Sequence, residues 1–74
     1  MKQKPRKFTD YALILRDNTG KTCSVSIHAD CINEQIRAGA SEGEAIGNVE
    51  DNNVANAIYR GEIGADCWVD GIEE

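Results

Sequence analysis

The sequence predicts an α+β domain, with an N-terminal β-hairpin in a small antiparallel sheet, two or three short helices packed against it, and room for a C-terminal strand. Three observations carry this. "YALILR" and "KTCSVSIHA" are apolar and β-branched runs separated by the turn sequence "DNTGK". "SEGE" at Ser41–Glu44 has the spacing of a helix-opening capping box. Beyond it, Ala45, Ile46 and Val49, and then Val54, Ala57 and Ile58, recur at helical intervals.

Met1–Lys7 reads as a flexible basic arm preceding a single domain over 8–74. It holds Lys2, Lys4, Arg6, Lys7 and Pro5 and shows no periodicity that would fold it alone. Tyr11–Arg16 reads as a strand that is apolar on both faces, which suits a central strand paired on both sides. Gly20 supplies the positive φ that the following tight turn needs. In the second strand Cys23, Val25 and Ile27 alternate with Thr22, Ser24, Ser26 and His28, so one face is wet.

Asp30 is placed to cap a helix beginning at Cys31, with Ile32 and Ile36 one turn apart and Gly39 as the stop. The rival reading is a strand through Glu34–Gly39. The segment from Ser41 is expected to break near "EDNN", because an unbroken helix would set Asn53 in the middle of its apolar face. Asp51 would then cap a further helix ending at Gly61. "DCWVD" is a final strand or a tail packed on the body.

Composition limits the core. Of 74 residues 41% are apolar, but eight are Ala and three are Cys. Ile, Val and Leu, with Phe8, Tyr11, Tyr59 and Trp68, must supply most of the buried area. Burial and chain entropy nearly cancel at this size, which leaves a homodimer open as a source of further burial. No apolar run reaches the length of a membrane span, and no hydrophobic segment follows the basic start as in a signal peptide. The odd count of cysteines fits reduced thiols and a cytoplasmic setting.

Charge is uneven. Residues 1–21 hold six of the eight basic side chains and two acids, for a net of +4; residues 22–74 have a net of −9. An acidic body disfavours duplex-DNA binding, whose affinity comes from phosphate contacts. The basic arm is the one segment suited to nucleic acid.

The chemistry-bearing residues are few. The sole histidine is His28, and no nucleophile elbow, zincin, P-loop or dinucleotide motif is present. A Cys31–His28 pair oriented by Asp30 has the composition of a thiol nucleophile, but a chain this short offers little volume for a dry pocket. Cys23, His28, Cys31 and Cys67 have the composition of a zinc set, yet Cys23 and His28 fall on opposite faces of the predicted strand. The expectation is no enzyme activity, metal or cofactor, with the three cysteines as small core residues.

Gly39, Ser41, Glu44, Ala45, Ile46 and Asn48 fall in "GASEGEAIGNVEDNNVANAI". This segment resembles the helix-opening stretch of HicB-like antitoxins, which also begin with a strand hairpin. The resemblance covers about 20 of 74 residues. The Pro-Gly-Cys turn usual before that stretch is absent here. It implies an antitoxin or regulator that blocks a small RNase toxin, with the basic arm on nucleic acid.

The remaining feature is "GADCWVDGIEE". It sets the only tryptophan, Trp68, among Asp66, Asp70, Glu73 and Glu74. Trp68 either folds back as a core plug, with Cys67 or Val69 beside it, or stands partly exposed as an interface anchor. The two readings combine if one ring face packs and the other docks. The sequence thus points to a small acidic protein-binding module with a basic partner surface. Its expected role is inhibitor or adaptor of a nucleic-acid-handling protein, of the kind that phages and mobile elements encode.

Overall fold

The computed structural model describes residues 9–74; the arm residues Lys2, Lys4, Arg6 and Lys7, and Phe8 with them, lie outside this range. The described chain runs β1 (Tyr11–Arg16), β2 (Thr22–Ile27), α1 (Ala29–Arg37), α2 (Glu42–Tyr59) and β3 (Trp68–Glu73). The strands form one antiparallel sheet in the order β2-β1-β3. The hairpin, the central position of β1 and the C-terminal strand all match the sequence expectations.

The hairpin register pairs Tyr11 with Ile27 and Arg16 with Thr22. Tyr11, Leu13 and Leu15 therefore share one face with Cys23, Val25 and Ile27. The helices cover that face, burying Leu13, Leu15, Val25 and Ile27. From the helices, Ile32, Ala45, Val49 and Ala57 complete the core. The other sheet face carries Ala12, Ile14, Thr22, Ser24 and Ser26. Gly20 has φ of +86° in the β1–β2 turn, where its backbone N–H donates to the Asp17 carbonyl.

Asp17 is the least expected member of this turn, because it is buried at 4% exposure. Its Oδ1 accepts from the Thr19 hydroxyl at 2.6 Å and from the Thr19 and Lys21 backbone N–H groups, while Oδ2 accepts from Gly64 N–H at 2.9 Å. One carboxylate thus ties the hairpin turn to the loop before β3. The Thr19 hydroxyl is the main cause that holds its pKa at about 2, below an ordinary 3.8; burial opposes this, and the Gly64, Thr19 and Lys21 N–H groups add to it.

Three details correct the sequence reading. First, α1 starts at Ala29 with His28 as its N-cap, and His28 makes no side-chain capping bond. Asp10, just before β1, accepts from Ala29 N–H at 2.8 Å in place of the Asp30 cap. The strand runs directly into the helix, so Asp30 falls in its first turn. Glu34–Arg37 is helical, which removes the rival strand, and Gly39 with φ of +112° ends the segment as expected.

Second, α2 is unbroken from Glu42 to Tyr59, so no helix begins at Asp51. Asn53 does lie in the inner row with Ala45, Val49 and Ala57. Its Nδ2 donates to the Val49 carbonyl at 2.8 Å, so the amide is satisfied by its own helix one turn back. The capping box at Ser41 and Glu44 is formed in both directions.

Third, the core plug near the C-terminus is Ile63, buried in the connector, not Trp68. Tyr59, expected in the core, is 91% exposed at the end of α2. Cys23 and Cys67 are half-buried against the core, as small apolar residues would be, but Cys31 is exposed on α1.

Candidate functional site: the open edge at β3

β3 forms because Val69 and Ile72 pair across from Leu15 and Leu13, and Trp68 and Gly71 across from Arg16 and Ile14. A register shift lies between Ile14 and Leu15, and it leaves Asp70 as the extra residue of a β-bulge. Val69 and Ile72 are three apart, so regular alternation would put them on opposite faces. The bulge puts both on the core face.

They are nevertheless exposed, Val69 at 49% and Ile72 at 60%. β3 packs chiefly on β1, whereas α2 packs on β2 and α1. The helical layer stops short of the last strand. On the opposite face Trp68 is 43% exposed, so it is neither a core plug nor a wholly free side chain. Among the described residues the far side of β3 has no strand partner. Every second residue of an edge strand turns its N–H and C=O outward, so β3 offers unpaired backbone groups with apolar side chains above and below.

The other sheet edge, β2, differs. Val25 and Ile27 on its core face are buried, and its outer face shows Thr22, Ser24 and Ser26. Only β3 ends the sheet with its core-facing residues uncovered.

The acids expected at the site do not form a cluster. Asp70, at the bulge, meets Arg16 at 3.4 Å in an exposed ion pair. Such a pair contributes about 0–1 kcal/mol to stability; Arg16 offsets the Asp70 charge, so Asp66, Glu73 and Glu74 carry the net acidity of the edge. Asp66 lies in the loop before β3, beside Gly64. Glu73 pairs with Ala12 at the far end. With Glu74 it borders a shallow surface groove with Asp10, Tyr11 and His28. The acids are thus strung along a strand about 20 Å long. Sequence reasoning named Trp68 and these acids but missed Ile72 as a member, and it assigned Val69 only to the core.

Elsewhere the geometry is spare. His28 is exposed, and its Nδ1 lies 3.6 Å from Asp10 Oδ2. The Asp10 carboxyl is held below its ordinary range mainly by the Ala29 backbone N–H, against burial, with His28 adding to the effect. Tyr11 O–H donates to Glu50 on α2. Burial first, then the Glu50 bond and charge, push the Tyr11 pKa up to about 12. Among the described residues no group of three or more His, Cys, Asp or Glu is placed to hold a metal ion, and no helix is long and apolar enough to cross a membrane. A cleft of about 400 Å³ between α1 and α2 is lined by Cys31, Gln35, Asn48, Asn52 and Asn53. Asn48 Nδ2 already donates to Gln35 Oε1 across it at 3.0 Å.

The fold and edge define a two-layer α+β domain that presents one open, acidic strand. No protein-family model, curated protein or solved structure matches the chain significantly. The residues that resemble HicB-like antitoxins are those of the Ser41–Glu44 capping box and the first turns of α2. Gly39, also among them, lies just past the end of α1.

Proposed function

We propose that this chain is a non-catalytic protein-binding module that docks a basic surface of a partner protein on β3. The observation that carries this is the open edge itself: Trp68, Val69 and Ile72 exposed on a terminal strand, in a line with Asp66, Asp70, Glu73 and Glu74. Aromatic and aliphatic anchors supply binding energy once desolvated, and the surrounding acids set partner choice and association rate. Basic, apolar-centred surfaces are common on proteins that handle nucleic acid, so an acidic strand that occupies one takes the place of phosphate. The role that follows is inhibitor or adaptor of such a protein.

The test is affinity capture with three baits: the wild type, Asp66→Lys with Asp70→Lys, and a variant with Lys2, Lys4, Arg6 and Lys7 changed to Ala. The first and third should retain the same basic proteins, and the second should lose them. Retention by the double reversal, or loss only with the arm variant, would contradict this function and move the activity to the arm.

A further inference from the structure

Resting on that reading, we infer that β3 recognises its partner by strand addition. An extended segment with Lys or Arg alternating with apolar residues pairs with β3 as the fourth strand of the sheet. Three observations select this mode over docking on a flat patch. Among the described residues β3 is a terminal strand whose outward backbone groups lack a sheet partner. Its exposed apolar residues lie on both faces, Val69 and Ile72 on one and Trp68 on the other. A single flat surface could cover only one of these sets, whereas an added strand lays side chains beside both. The acids are distributed along the strand direction and not gathered at a point, which matches a linear segment.

Charge favours a basic segment over a second copy as the occupant: pairing β3 with β3 would gather Asp66, Asp70, Glu73 and Glu74 of both copies along one edge, where their net negative charge opposes association. The bulge at Asp70 and the flanking acids keep copies of the chain apart, as guarded edges do. The same acids leave the edge attractive to a basic segment.

Trp68 is the only tryptophan, and its emission reports docking at the edge directly. The probe is a short peptide alternating lysine and valine, titrated at low and high salt. Two further versions carry N-methyl groups on alternate residues, one along each edge of the extended peptide. Unmethylated peptide should bind with a blue shift of Trp68 emission. Methylation along one edge, where the amides face β3, should weaken binding roughly tenfold or more through lost backbone bonds. Methylation along the other edge should change affinity by about twofold or less.

Equal affinity for all three peptides, or equal loss in both methylated forms, would overturn strand addition. If Asp66→Lys with Asp70→Lys still abolishes binding in those cases, docking by charge survives and the proposed function stands. No binding of the unmethylated peptide also overturns strand addition, and the capture experiment then decides the function independently. Self-association of the wild type at neutral pH that protects the β3 amides would overturn the choice of occupant.

Discussion

Trp68→Ala separates a half-packed ring from both a core plug and a free anchor. A buried aromatic side chain removes about 150–250 Å² from water. Trp68 is 43% exposed, so it buries somewhat over half of such an area, about 85–140 Å². At about 25 cal/mol per Å², this is roughly 2–3.5 kcal/mol. An extended reference chain overstates burial by about 10–40%, which brings the expected loss to about 2 kcal/mol. For a domain of this size that is a fall in Tm of about 8–16 °C. A single core of this size supplies about 3–5 kcal/mol, so a loss of about 2 kcal/mol should leave most of the population folded. The assay is urea unfolding followed by far-ultraviolet circular dichroism, with the slope of the transition unchanged. A loss of about 4 kcal/mol or more would mean that Trp68 is a core plug. A loss below about 0.5 kcal/mol would mean that the ring packs on nothing.

The remaining predictions test the supports of the edge. Leu15→Ala should cost about 2–5 kcal/mol, because Leu15 is wholly buried on the central strand; a melting curve shifted by only a few degrees would place the core elsewhere. Gly47→Ala should stabilise by about 1 kcal/mol, since Gly47 lies inside α2 and an added Cβ meets nothing within 4 Å; a loss of stability would show that α2 is broken there after all. Gly20→Val should destabilise by about 1–2 kcal/mol through its positive φ, and an unchanged midpoint would refute the turn. The Asp17 carboxyl, lowered to about 2, contributes stability that is complete above pH 3.8 and lost as pH falls toward 2. Asp17→Asn should therefore flatten the acid limb of a stability–pH curve between those values, and an unaltered limb would remove Asp17 from the hub.

The hairpin, the central strand, the first helix and the capping box were legible because each depends on residues close in sequence. Alternation in Cys23–Ile27, the spacing of Ile32 and Ile36, and the pairing of Ser41 with Glu44 are local patterns with local causes. What escaped depends on distant partners or on a broken period. Asn53 looked like a helix break because its donor bond to the Val49 carbonyl is invisible in a hydropathy pattern. The cap of α1 comes from Asp10, on the far side of the hairpin. Asp17 suggests a turn by its spacing to Thr19, but nothing local announces Gly64, 47 residues away. At the site, the acids and Trp68 could be read directly. Ile72 could not, because one bulged residue at Asp70 moves it onto the face of Val69 and erases the alternation that would have revealed a strand.

Backbone hydrogen exchange along β3 tests the central claim most directly. In the free protein the outward-facing amides of Trp68–Glu73 should exchange fast, alternating with slower amides bonded to β1. With the lysine–valine peptide bound, the fast set should become protected while β2 and α2 are unchanged, and raising the salt should remove the protection. Protection that appears instead on β2 or in the α1–α2 cleft, or β3 amides unaffected by saturating peptide, would contradict the assignment of β3 as the docking edge.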